Sequence, residues 1–81
     1  MENRVAIIGI IVEDTSSVPE VQKTLSEFSE FIIGRMGIPY REKNIKIISV
    51  VLDAPVDKIN ALTGRIGNIN GVNTKAVYSN N

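Results

Sequence analysis

"IIGRMGIPYREKNIKIISVVLD", residues 32–53, decides the fold. Its second half, "IKIISVVLD" (Ile45–Asp53), is a short apolar run rich in β-branched side chains, the composition of a buried strand. The first half, "IIGRMGIPY" (Ile32–Tyr40), is mixed but alternates. Gly34, Met36, Ile38 and Tyr40 would point one way, and Ile33, Arg35, Gly37 and Pro39 the other. Pro39 has no N–H to give a ladder, so this strand belongs on a sheet edge. "REKN" (Arg41–Asn44) is a polar turn in which Asn44 can take a positive φ. Two strands joined by so short a link form a hairpin.

The flanks of the hairpin mirror one another. Upstream, "RVAIIGIIV" (Arg4–Val12) is a continuously apolar strand, and "EDTSS" (Glu13–Ser17) is a polar connector. Ser17 and Glu20 have the spacing of a capping box, with Pro19 in the first turn. Val18, Val21, Leu25 and Phe28 then form one helical stripe, predicting an amphipathic helix from Val18 to Phe31. Downstream, Asp53 and Pro55 start a second helix with the stripe Val56, Ile59, Leu62 and Ile66, and Gly67 is placed just past its end. "NING" (Asn68–Gly71) is a turn, "VNTKAVYS" (Val72–Ser79) an alternating strand, and Asn80 and Asn81 a frayed end.

The order is β-α-β-β-α-β, an α+β ferredoxin-like sandwich formed by a split βαβ motif. Right-handed crossovers put the first and third strands at the centre of a four-stranded antiparallel sheet. The 81 residues are read as one domain, 1–81.

Two helices cover one face of such a sheet, so the other face should be polar where it meets water. In this sequence the central strands are apolar on both alternations, Ile7 and Ile11 as well as Ile8 and Ile10, and Ile47 and Val51 as well as Ile48 and Val50. An exposed patch of that kind marks an interaction surface. We therefore expect a homo-oligomer, a dimer or tetramer, whose subunits pack through the open face or pair edges with partial face burial, with Ile7, Ile11, Ile47, Val51 and Arg35 at the interface. The competing reading is that these residues serve strand propensity alone.

Composition removes several function classes. Lys plus Arg and Asp plus Glu are nine each, so the chain lacks the basic excess of a general polyanion binder. It has no cysteine and no histidine. Disulfides, thiolate and imidazole metal sites, and Ser–His or Cys–His catalysis are thereby excluded. No base–nucleophile pair is visible, so no enzyme, no cofactor and no metal are expected. The N-terminal apolar run is too short to span a membrane and lacks a cleavage pattern, which predicts a cytoplasmic protein with no membrane partner.

The remaining candidates are polar. Glu13 and Asp14, at the end of the first strand, can bind a ligand or cation, or simply solvate a turn near a helix N-terminus. "GRMG" (Gly34–Gly37) lacks phosphate-loop spacing. An arginine beside a glycine gap, Arg35 beside Gly37, can clamp an anion or pair across an interface. Both residues are expected to face the open side of the sheet. Arg41, Lys43 and Lys46 with Tyr40 form a local basic cluster, read as a solvated hairpin tip rather than a nucleic-acid contact.

Taken together, "RVAIIGIIVED", "IIGRMGIPYREK", "IKIISVVLDAPVDKINALTGRIG" and "INGVNTKAVYS" resemble the small regulators of the iron-only hydrogenase system. That family is similar to ACT-type regulatory domains and to the C-terminal domain of nickel-responsive repressors. The resemblance implies a non-enzymatic regulatory module that binds a small effector or a hydrogenase-system protein. It carries the effector site by position onto Glu13, Asp14, Arg35, Met36 and Gly37. The alternative is a structural or assembly factor for that system with no small ligand. The repressors' nickel site does not transfer, because its histidine and cysteine ligands are missing. No ribbon-helix-helix segment is present for operator binding.

Overall fold

A computed structural model describes residues 2–80; the end at Asn81 lies outside the described residues. Strand β1 (Asn3–Val12) pairs antiparallel with β3 (Ile45–Pro55) on one side and β4 (Val72–Tyr78) on the other. Strand β2 (Ile32–Tyr40) pairs with β3, giving the order β2-β3-β1-β4. The two most apolar runs thus hold the centre, where both ladders are satisfied, and proline-bearing β2 takes an edge. This is the α+β ferredoxin-like arrangement that the element order predicts.

Helices α1 (Val18–Glu27) and α2 (Val56–Gly67) cover one face. Their stripes meet the even-numbered residues of the central strands. Ile8, Ile10 and Val12 of β1, Ile48, Val50 and Leu52 of β3, Val21 and Leu25 of α1, and Ile59, Leu62 and Ile66 of α2 are all fully buried. Burying each such side chain stabilises the fold by about 1.5–3 kcal/mol before the ordering entropy is subtracted.

The local punctuation differs from expectation in four places. Ser17 sits at the N-terminus of α1 without capping it; its hydroxyl instead donates to the Asn70 carbonyl at 2.7 Å, tying the β1–α1 connection to the α2–β4 turn. The first helix ends at Glu27, and a single 3-10 turn, Ser29–Phe31, completes the way to β2. Strand β3 runs on to Pro55, so Asp53 pairs with Val5 rather than starting a helix. Gly67 is the last residue of α2, and the left-handed glycine is Gly71, at φ +73°. Asn44 does take the left-handed conformation, at φ 53°, and closes the β2–β3 hairpin.

Gly71 is held by a close approach. A Cβ there would come within 2.5 Å of the Asp14 Cβ, and the Gly71 carbonyl accepts from the backbone N–H groups of Glu13 and Asp14. The turn before β4 is thereby fastened to the end of β1.

Candidate functional site: the open face of the sheet

Strand register turns the open face into an ordered array. Across the middle of the sheet, Met36 of β2 lies opposite Ser49 of β3, which lies opposite Gly9 of β1, which lies opposite Lys75 of β4. The next row towards the hairpin is Ile38, Ile47, Ile11 and Asn73. The row on the other side is Gly34, Val51, Ile7 and Val77. Large apolar side chains therefore flank a central row that is small in its middle.

These side chains meet solvent. Ile7 is 47% exposed, Ile11 42%, Ile47 37% and Val77 69%. Gly9 has no atom within 4 Å of where its Cβ would stand, so it leaves a notch rather than a tight contact. The depression over it has a volume of about 360 Å³ and is lined by Ile11, Ile47, Ser49, Asn73 and Lys75 among others. The Lys75 side chain at its edge makes no hydrogen bond or ion pair among the described residues.

The predicted effector residues are not gathered in one place. Register puts Arg35 opposite Val50 and Gly37 opposite Ile48, and both partners are buried beneath the helices. Arg35 and Gly37 thus face the helix side, contrary to the expectation that they face the open side. Arg35 Nη2 donates to Gln22 Oε1 of α1. The Gly37 gap is taken up by the Lys46 side chain, whose Cε lies 3.4 Å from the ideal Cβ position. Met36 alone of the three lies on the open face.

Glu13 and Asp14 lie beyond Val12, where β1 ends level with Lys46 and Val72. From Gly37 that is two strands across and three residues along, roughly 14 Å in sheet spacings. Both carboxylates have local partners. Glu13 Oε1 accepts from Asn73 Nδ2 at 2.7 Å. Asp14 Oδ1 accepts from the Ser16 hydroxyl at 2.6 Å and the Ser16 N–H at 3.0 Å, and these bonds hold its carboxyl below the usual carboxylate range. No group of three or more potential metal-binding side chains occurs among the described residues. No helix among them is long and apolar enough to cross a membrane.

The exposed apolar face was legible from the alternation of β1 and β3. The notch was not, because Gly9, Ser49 and Lys75 are joined only by strand pairing. Gly9 inside an apolar strand was its one local sign.

The same architecture occurs in solved structures. Protein TM1266 of Thermotoga maritima, titled as uncharacterized, superposes with a TM-score of 0.91 at 44% identity, over 95% of this chain and 98% of that one. A formyltetrahydrofolate deformylase from Pseudomonas putida KT2440 matches at a TM-score of 0.68 and 14% identity, over 95% of this chain but 29% of the enzyme's; that likeness is one of fold. None of the curated proteins matches the chain. A family match over residues 4–76 takes in all but the ends of the fold, and this chain belongs to the TM1266-like family, described as "Iron-only hydrogenase system regulator, putative".

Proposed function

We propose that this chain is a non-enzymatic regulatory module of an iron-only hydrogenase system, active as a homo-oligomer whose subunits meet through the open sheet face and enclose a small effector. The family is named for a regulator rather than an enzyme, which supports the first part. The observation that carries the second is the cluster of exposed Ile7, Ile11, Ile47 and Val77 on a face that no element of the described residues covers. With Met36, Ile38, Val5 and Tyr40, they offer roughly 700 Å² of surface, close to the ~800 Å² that each partner contributes to a standard-size interface.

Charge placement favours a second copy as the occupant. At one end of the sheet the β2–β3 hairpin carries Arg41 and Lys43, while the neighbouring end of β1 carries Glu13 and Asp14. A two-fold axis parallel to the strands, between two facing sheets, sets β2 and β3 of one protomer over β4 and β1 of its partner. The basic tip then meets the acidic turn of the partner on both sides of the axis, and opposite charges fix register and speed association.

Sedimentation velocity tests this reading. At micromolar concentration the expected species has twice the chain mass or a higher multiple, and Ile7→Lys with Ile11→Lys returns it to a monomer with an unchanged far-ultraviolet circular dichroism spectrum. A wild-type monomer at those concentrations would refute the assembly. A thermal-shift screen of amino acids, nucleotides and carboxylic acids tests the effector: a ligand of the folded state raises Tm with concentration. An oligomer with no shift from any of them would turn the reading to a purely structural role in the system.

A further inference from the structure

We infer that the effector site is the notch over Gly9, and that it takes a small carboxylate with an apolar body. This rests on the effector-binding reading above and replaces the separated residues Glu13, Asp14, Arg35 and Gly37 with a single place on the open face.

Four observations converge on that place. The depression, about 360 Å³, lies at the low end of the range for small-molecule pockets. A cavity of ~150 Å³ takes a benzene-sized molecule, so this one suits about a dozen non-hydrogen atoms. Its walls, Ile11 and Ile47, are apolar, which selects an apolar body. Its floor is set low by the missing side chain of Gly9 and the small one of Ser49, which face each other across the β1–β3 ladder.

The charge at the rim selects the head group. Lys75 stands directly opposite Gly9 on β4 with no acidic partner among the described residues. Glu13, just beyond the end of β1, is engaged by the Asn73 amide instead. An ammonium at the edge of an apolar surface, with the Ser49 hydroxyl across the floor, matches a carboxylate that can accept from both. Under the two-fold arrangement proposed above, Ser49 of one protomer lies over Gly9 of its partner. The two notches then face each other as one chamber screened from water, where the lysine–carboxylate attraction is stronger than at an open surface.

The test uses octanoate as the probe, with octanol and octylamine as the neutral and cationic controls, all below the concentrations at which they self-associate. Octanoate is expected to raise the Tm of the wild-type chain by about 4 °C or more near saturation, octanol by less, and octylamine not at all. A Cβ at Gly9 meets no atom within 4 Å, and the rest of the side chain in Gly9→Leu extends into the open depression, so the variant should fold and lose the octanoate shift. Lys75→Met should keep a shift with octanol and lose the preference for octanoate over it. No octanoate shift in the wild type, or an equal shift in Gly9→Leu, overturns the site; equal preference in Lys75→Met overturns the role of the lysine. Sedimentation of the same samples separates the two readings. A monomer that still shows the Gly9-dependent shift refutes the assembly alone, and an oligomer without that shift refutes the notch alone.

Discussion

Ile7 and Ile8 are the same residue type, adjacent in one strand, and they live in different solvents. Ile8 is fully buried against the helices, whereas Ile7 is about half exposed on the open face. The same contrast holds between Ile48 and Ile47 across the ladder. One face of the sheet is finished within a single chain and the other is not. Both alternations are apolar, so the open face carries more apolar surface than folding of the chain requires, and association is the use proposed for it above.

The sharpest test of that contrast is a matched pair of truncations. Ile8→Ala should cost about 3–4 kcal/mol in denaturant unfolding, since it opens a cavity in a packed core. Ile7→Ala should cost less than about 1 kcal/mol at concentrations where the chain is monomeric. Equal costs in dilute solution would mean that the open face is already covered within one chain.

A second pair contrasts two glycines. Gly71→Ala forces a side chain into a positive φ and against Asp14, and should destabilise by about 2–3 kcal/mol. Gly9→Ala should be neutral or stabilising by up to about 1 kcal/mol, because there is space for the methyl group and the unfolded chain loses freedom. Thermal unfolding of both variants reads the difference, and a costly Gly9→Ala would show that the notch is not open.

Arg35 separates the two faces through association rather than stability. Arg35→Ala breaks a contact to Gln22 on the helix side and should leave sedimentation unchanged, with less than about 0.5 kcal/mol lost from the fold. A dissociated Arg35→Ala variant would return that residue to the interface.

The smallest effect concerns the helix layer. Arg65 of α2 forms two 3.1 Å hydrogen bonds to Glu27 of α1, with its guanidinium 5.6 Å from the centre of the Phe28 ring. These bonds hold the Glu27 carboxyl below its ordinary range and raise the Arg65 pKa. Asp14 is depressed as well, by Ser16. A carboxyl with a depressed folded-state pKa contributes stability that is present above its unfolded pKa, about 4, and is lost as pH falls through the folded value. Acid should therefore weaken the fold below about pH 4, and Glu27→Gln should flatten that loss. Because the pair is exposed, added salt should shrink the difference. A pH profile unchanged by Glu27→Gln would show that the pair is uncoupled from folding.

Several features were legible in the sequence for identifiable reasons. Pro39 marked an edge because it cannot donate to a ladder. The stripes Val21–Leu25–Phe28 and Ile59–Leu62–Ile66 marked the helices, and all six residues are buried. Ser17 misled because its hydroxyl has two uses, a helix N-terminus or a carbonyl across the fold, and the second won. The candidate site was only partly legible: the apolar face was visible from Ile7, Ile11, Ile47 and Val51, and the direction of Arg35 was not.

The sequence by itself determined the elements, their order and which strands are central, because helical and strand periodicities and the missing proline N–H act over a few residues. Only the tertiary structure decided which side of β2 meets the helices. When both faces of a sheet are apolar, hydropathy cannot distinguish them, and the choice falls to the pairing of Arg35 with Val50 and Met36 with Ser49. Those same long-range hydrogen bonds bring Gly9, Ser49 and Lys75 into one row, which no local spacing encodes.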